Sequence, residues 1–491
     1  MKFNNVRINH ATNSSSTHSV LITNQQYRDK DSISELEFGW NEFVAASDEA
    51  KQNYIFAQLW ENLGFIPPVL RRTYIKKLTG IDCNPIDPDY NQQTFSVGVD
   101  HQSRWVIPLK RGMWYDDYKE IHDEFVSELT AYLMKNDIIV VGGNDNDEYQ
   151  TSYEGTPALP DYFDFNESGQ DSLLTYKDGD WWIFYNSKTG FKTTFSFKDN
   201  PTPRTKSVCP ELIDLSITEK CKFGNSAKPG DGVCYFCYQS SKVDGKHADT
   251  KQLLDFINYN LSHIEGLCEC AIGGGDPTEH PDFIKILQAF KKNEITANFS
   301  TKNVKWCIDN WEQIESLVGT IGISVSESDV RNMTPEIQYL QHIGAKIAIH
   351  IIPELINHSR FDSIMEDIIK LKSYGTSFIC LGLKHKGNML SLPKWRQDCI
   401  NTEYKSDLMK FIKAHEQHYI AWSFDTCLAR EMETELIELE INPKSYYTEE
   451  GKFSCYVDAV NWKMSKSSYD DESVGCCNMN TEQFIKQYQQ Y

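Results

Sequence analysis

Cys221, Cys234 and Cys237 stand in the spacing C-x12-C-x2-C, and the run GGGDPTEHPDF opens at Gly273, one helix and one strand later. Three thiolates can hold three irons of a [4Fe–4S] cube and leave the fourth iron open. A glycine-rich strand end beside that iron lets backbone amides and carbonyls approach the charged end of a small cofactor without Cβ interference. The cysteines alone also admit zinc, because C-x2-C is a common half of a zinc site and Cys209 or Cys268 is available as a fourth ligand. A lone glycine triplet is more often a turn than a site. Its place after the cysteines gives it weight.

The elements that must position these residues begin at Leu212, where apolar strands start to alternate with amphipathic helices. ELIDLSIT, CECAI, ITANFST, TIGISVS, AKIAIHIIP and SFICLGL read as strands. The first helix is expected to align Leu254, Ile257, Leu261 and Ile264 on one face, and the second Phe283, Ile286, Leu287 and Phe290. About six strands, each linked by a helix, imply a parallel sheet with right-handed crossovers. Ligands of such sheets gather at the carboxyl ends of the strands, and Cys221 directly follows the first of them. Later strand ends carry Ser300, Thr301 and Asn303 in FSTKN, Ser324 and Ser326 in ISVSES, His350 in AIHIIP, and Leu381 and Gly382 in CLGLKHKG. Each by itself is an ordinary strand end with capping hydroxyls, and His350 reads as a core histidine.

Together these features resemble the radical S-adenosylmethionine (radical SAM) superfamily. Phe236 fills the aromatic place before the last cysteine, although the family's first gap is usually three residues. The insertion KFGNSAKPGDGV, with three glycines and a proline, is expected to loop out and return Cys221 to the others. GGGDP resembles the family's G-G-E-P, with Asp276 in place of glutamate. The resemblance implies a partial (β/α)6 TIM-like barrel within an α/β chain. It implies a [4Fe–4S] cluster on Cys221, Cys234 and Cys237, with S-adenosylmethionine held by Gly273, Gly274, Gly275, Asp276, Pro277, Ser300, Thr301, Ser324, Ser326, Leu381 and Gly382. The chemistry implied is reductive cleavage of S-adenosylmethionine to a 5′-deoxyadenosyl radical that abstracts hydrogen from a substrate. The tail cysteines Cys427, Cys455, Cys476 and Cys477 resemble SPASM or twitch extensions, which hold a second iron–sulfur cluster and accompany peptide or protein substrates. Zinc or plain thiols remain alternatives for them. A flavodoxin- or ferredoxin-like electron donor is implied as well. Other readings are radical modification of a small metabolite, nucleotide or RNA, and a zinc-stabilised binding protein without catalysis.

At 491 residues the chain exceeds one ordinary core. Residues 1–205 read as an α+β accessory domain, 206–420 as the barrel, and 421–491 as a small cysteine-bearing extension. DEFVSELTAYLMKNDIIVVGG reads as helix then strand, and LLTYKDGDWWIFYNSKTGFKTTFSF as three strands joined by turns. A net charge of −21 disfavours a nucleic-acid partner, since phosphate backbones bind through Lys and Arg. With no apolar run of bilayer length and no apolar signal core, no membrane is expected and the cytoplasm is the expected compartment. Fourteen cysteines there are reduced thiols or metal ligands before disulfides, and only Cys83 lies in the first 200 residues. NSSSTHS (Asn13 to Ser19) reads as a polar loop, or else as a recognition or modified segment.

Overall fold

The computed structural model describes strands Lys2–Arg7, Leu21–Thr23, Glu37–Phe38, Gly98–Val99, Leu109–Tyr115 and Tyr118–Ile121. It also describes residues 43–63, 66, 68–83, 123–136, 138–142, 173–190, 192–225, 234–373, 376–415, 420, 422–438 and 449–491. The NSSSTHS segment and residues 226–233 of the cysteine insertion lie outside them. The chain divides into two compact units. One comprises Met1–Lys2, Ala11–Asn186 and Phe195–Pro201, and the other Phe3–His10, Ser187–Thr194 and Thr202–Tyr491. Among the described residues, no helix is long and apolar enough to cross a membrane.

The first unit holds both helices and strands. Helix Asp48–Asn62 starts at Ser47, whose hydroxyl accepts from the Ala50 amide, and buries Tyr54, Ile55, Phe56 and Leu59. Helix Asp123–Leu133 and strand Ile139–Gly142 follow the expected order. Strands Leu173–Asp178 and Trp181–Asn186 pair antiparallel, with Asp178 opposite Trp181 and Gly179 at φ +61°, the left-handed conformation that a two-residue hairpin loop requires. Phe125, Trp182, Phe184, Phe195 and Phe197 fill its core.

The second unit is built on one large sheet. Its strands are β1 (Leu212–Thr218), β2 (Glu269–Gly274), β3 (Thr296–Thr301), β4 (Val318–Ser324), β5 (Ile347–Ile351), β6 (Thr376–Cys380), β7 (Trp422–Phe424), β8 (Ser454–Asp458), β9 (Lys463–Ser465) and β10 (Val474–Gly475). The order across the sheet is β7-β6-β5-β4-β3-β2-β1-β8-β9-β10. All neighbours from β7 to β8 are parallel, and β9 and β10 return antiparallel. Because β1 to β7 add consecutively to one edge, the sheet is singly wound, without the reversal that splits helices between two faces.

Strand alternation sorts the two faces. Ile213, Leu215, Cys270, Ile272, Phe299, Ile321, Ile349, Phe378 and Val457 enter one apolar core with the helices. Those helices are α1 (Thr250–Tyr259), α2 (Phe283–Lys292), α3 (Val330–His342), α4 (Phe361–Ile369), α5 (Tyr404–Ala414) and α6 (Thr481–Tyr488). The intervening positions carry Asp214, Ser216, Glu269, Asn298, Ser300, His350 and Tyr456, so the other face is polar. Helix α1 departs from expectation: it ends at Asn260, and its core face is Leu253, Phe256 and Ile257, while Leu261 and Ile264 are buried beyond it. Helix α2 buries all four expected residues. The tail is not set apart from the sheet, since β7 and β8 extend it on both sides and Phe484 and Tyr488 of α6 join its core.

Candidate active site at the carboxyl ends of the strands

Just past β1 the chain runs as an extended segment, Lys220–Asn225, that carries Cys221. Two backbone hydrogen bonds lock it to the glycine run: the Gly275 amide donates to the Thr218 carbonyl at 2.5 Å, and the Asp276 amide to the Lys220 carbonyl at 2.9 Å. From the other side the Cys234 amide donates to the Phe223 carbonyl at 3.4 Å, and a turn carries the chain to Cys237, whose amide donates to the Cys234 carbonyl at 3.0 Å. Burial pushes the Cys221 thiol up to about 12, with Asp276, Cys234 and Cys237 adding to the rise against a hydrogen bond from Phe223. Burial likewise pushes Cys234 up to about 11, opposed by the charge of Lys302. Three thiolates in one another's field need a compensating cation, and bound metal is what deprotonates such thiols outright. The donor chemistry therefore fits a metal centre. The described residues hold no group of three His, Cys, Asp or Glu side chains already at metal-binding distance.

The three glycines differ in what they do. Gly274, at φ +105°, and Gly275 are pressed onto backbone: a Cβ would meet the Thr218 carbonyl oxygen at 2.3 Å in the first and the Lys220 carbonyl oxygen at 2.0 Å in the second. A Cβ on Gly273 would meet nothing within 4 Å. Gly273 thus offers the open cradle.

Asp276 faces inward. Its carboxylate accepts from the Thr278 amide and hydroxyl at 3.1 and 2.8 Å and from the Thr301 hydroxyl at 2.8 Å, while Asn303 Nδ2 donates to Thr278 Oγ1 at 3.0 Å. Burial pushes the Asp276 carboxyl upward, and the Thr278 and Thr301 hydrogen bonds oppose the rise. These side chains fasten the ends of β2 and β3 together, and Pro277 is buried in the turn beside them. Asp276, Pro277 and Thr301, expected as cofactor contacts, thus also frame the site by tying the two strand ends together. Thr301→Val, which removes a partner of a buried carboxylate, is expected to cost about 2 kcal/mol in thermal or urea unfolding, with Thr301→Ser recovering most of it.

Further along the strand ends, Phe236, Lys302, Ser324, Ser326, His350 and Leu381 line one pocket. It brings residues of the cysteine loop together with the ends of β3 to β6. Its enclosed volume is about 40 Å3, room for one small polar group, so a nucleoside-sized ligand requires these side chains to part. Lys302 pairs with Asp329 at 2.5 Å. Ser300 points to the polar face two residues before Lys302 of this pocket. Gly382 lies outside it: the Gly382 amide donates to Asp425 at 3.0 Å, and a Cβ there would stand 3.2 Å from the Cys427 Cβ.

Burial lowers His350 to about 4, so the imidazole is neutral at physiological pH. Its folded value lies below the ordinary value near 6.5, so the unfolded chain binds the proton first. Its contribution to stability is present above that ordinary value and is lost as pH falls through the window down to about 4. The urea midpoint of His350→Gln is accordingly expected to fall less than that of the wild type between neutral and acid pH.

The proposed fourth zinc ligands are in the wrong place. Cys209 and Cys268 precede β1 and β2, at the opposite end of the strands from Cys221, and both are buried. Seven residues of strand separate those ends by roughly 20 Å. The four tail cysteines are not gathered either. Cys455 on β8 and Cys476 are buried in the helix-side core, and Cys477 is exposed. Cys427 instead donates to the Tyr469 hydroxyl at 2.9 Å. The structure therefore does not gather Cys427 and Cys455, expected as auxiliary ligands together with one of Cys476 and Cys477, because Cys455 projects to the apolar face of the sheet while Cys427 lies in a polar cluster.

That cluster was not singled out from the sequence. Lys384 Nζ stands 4.6 Å over the Tyr238 ring and 4.9 Å over the Tyr469 ring, and Tyr469 donates to Glu450 at 3.2 Å. Burial pushes the nearby Asp214 carboxyl up to about 6, against the charge of Lys384. The one available signal was Asp214 itself, an acid in the middle of the apolar run LIDLSIT.

No protein-family profile matches the chain, and no curated protein matches it. Among solved structures, the chain is similar to Streptococcus suis SuiB bound to precursor peptide SuiA, at 11% identity and TM-score 0.47 over 65% of this chain and 87% of that one. SuiB bound to S-adenosylmethionine matches at 11% identity and TM-score 0.43, over 63% and 85%. BtrN in complex with AdoMet and 2-DOIA matches at 10% identity and TM-score 0.25, over 57% and 82%. In its cysteine motif, its glycine run and the order of its strand-end residues, the chain resembles the radical SAM enzymes.

Proposed function

We propose that this protein is a radical SAM enzyme acting on a peptide or protein, with the large sheet serving as a partial barrel. Cys221, Cys234 and Cys237 would hold a [4Fe–4S] cluster. Gly273 would receive the methionyl end of S-adenosylmethionine, and Ser300, Ser324, Ser326 and Leu381 its remainder. The bound pair supplies one-electron cleavage of the sulfonium and a radical able to take hydrogen from an unactivated carbon. The observation that supports this reading is the backbone lock that fastens the Cys221 segment to the glycine run holding the open Gly273.

The chain's own residues do the rest. The polar sheet face would orient an amide-rich substrate through Ser216 and Tyr456. Asp214, with its carboxyl near 6, is able to accept a proton from it close to neutral pH. Phe236 and Leu381 exclude water from the pocket. The test is anaerobic reconstitution with iron, sulfide, S-adenosylmethionine and dithionite. A brown protein that forms 5′-deoxyadenosine is expected. A colourless protein that retains zinc and forms none would refute the proposal.

A further inference from the structure

The segment between β6 and α5 holds a buried donor that the polypeptide leaves without an acceptor. Its place is fixed from several directions. Gly387, at φ +63°, is pressed so close to the cysteine loop that a Cβ there would strike the Tyr238 carbonyl and stand 2.9 Å from that of Cys237. The main-chain amide of Asn388 donates to the Cys237 carbonyl at 3.0 Å. Upstream, the Gly382 and Leu383 amides donate to the side chains of Asp425 and Glu354 at 3.0 and 2.9 Å. Leu383, Met389 and Leu392 pack against Tyr235 and Phe236, the residues that follow Cys234. Asn388 is thereby held against the loop that carries Cys234 and Cys237.

The side-chain nitrogen of Asn388, Nδ2, is buried and has no hydrogen-bond partner. Leaving such a donor unsatisfied costs about 1–3 kcal/mol, and buried polar groups in native proteins are nearly always paired. The acceptor is therefore one that the chain does not supply. The residue to which Asn388 is fastened bears one of the three sulfurs expected to bind iron. A second donor stands at that residue: the Cys237 thiol donates to the buried Ser241 hydroxyl at 3.7 Å. Once bound to iron, Cys237 has no proton to give, so the hydroxyl turns and donates to Sγ. Cys221, by contrast, takes a main-chain hydrogen bond from Phe223, and Cys234 feels the charge of Lys302.

We infer that Asn388 donates through Nδ2 to sulfur at the Cys237 corner of the cluster, the ligand thiolate or an adjoining sulfide, and with Ser241 sets the cluster's reduction potential. This rests on the cluster assignment proposed above. Reduction adds one electron, and so one negative charge, to the cluster, and hydrogen bonds to its sulfurs favour that state. Removing a donor should therefore make the cluster harder to reduce.

The experiment is an anaerobic potentiometric titration of the reconstituted full chain, read from the EPR signal of the reduced cluster. Asn388→Leu, of similar size but without a donor, is expected to shift the reduction equilibrium about tenfold toward the oxidised cluster, about 59 mV for one electron. Ser241→Ala is expected to shift it in the same direction, and Asn388→Asp, which puts an acceptor in place of the donor, at least as far as the leucine. Iron and sulfide content should match the wild type, because neither residue is a ligand. In the metal-free protein Asn388→Leu should keep or raise the melting temperature, since it removes an unsatisfied donor, whereas its gain on reconstitution should be smaller than that of the wild type. A potential unchanged or raised in Asn388→Leu would overturn the inference and assign the donor to a buried water. If that variant takes up no cluster, Ser241→Ala and Asn388→Asp decide in the same way. A wild type that binds no iron and sulfide would refute the cluster assignment itself and the inference with it.

Discussion

Cys234→Ala is expected to abolish formation of 5′-deoxyadenosine while leaving the fold intact. Changes to outer-shell partners of metal ligands already cost about ten- to a hundredfold, so loss of a ligand should exceed about a hundredfold. The fold should persist because Cys234 is only half-buried and its loop is held by other contacts, among them the Cys237 carbonyl's bond from Asn388. Iron and sulfide content, the visible spectrum and the melting temperature separate the outcomes. A variant that keeps its iron and its product would refute the ligand assignment, and one that unfolds would assign Cys234 to structure. The same substitution at Cys209 or Cys268, at the far end of the strands, is expected to leave iron content unchanged.

The glycine run offers a sharper contrast. Gly275→Ala would drive a methyl group to 2.0 Å from the Lys220 carbonyl oxygen, and backbone on both sides leaves no flexible side chain to yield. A cost of about 3 kcal/mol is expected, as for overpacking elsewhere, together with detachment of the Cys221 segment and loss of iron. Gly273→Ala meets no neighbour within 4 Å and should leave stability and iron content unchanged. Its effect is expected in binding of S-adenosylmethionine, with at least a tenfold rise in Kd, about 1.4 kcal/mol, because the new methyl fills the cradle. Calorimetric titration of S-adenosylmethionine into both reconstituted variants would decide the matter. Unaltered affinity in Gly273→Ala would place the ligand elsewhere.

Much of the sheet was legible because its strands are apolar at alternate positions and its helices carry matched faces. All six strands expected from Leu212 onward are present, and Phe283, Ile286, Leu287 and Phe290 are buried together. What escaped was non-local. LSHIE continues the apolar spacing of α1, but Asn260 ends the helix and a turn delivers Leu261 and Ile264 to the core by another route. SCYVD is too short and polar to announce that it pairs with β1, so the tail looked like an appendage. The same blindness applies within the site. Spacing marked Asp276 and Gly273 alike, and only packing distinguishes a carboxylate already saturated by Thr278 and Thr301 from a glycine with open space before it. The partnership of Lys384 with Tyr238 and Tyr469 depends on residues from three distant stretches, which no local pattern encodes.

The pairing of β1 with β8 has a bearing on how this chain reaches its native state. Leu212 finds one neighbour in Glu269 and the other in Ser454, in a strand made much later in synthesis. Until then β1 has an open edge, the kind of unpaired template that invites aggregation during synthesis. Closure of so long a loop is slow, because its entropy is spent before the contact rewards it. Maturation of the cysteine segment, which is continuous with β1, is therefore timed to the arrival of β8, and shortening the protein before Ser454 should yield insoluble material.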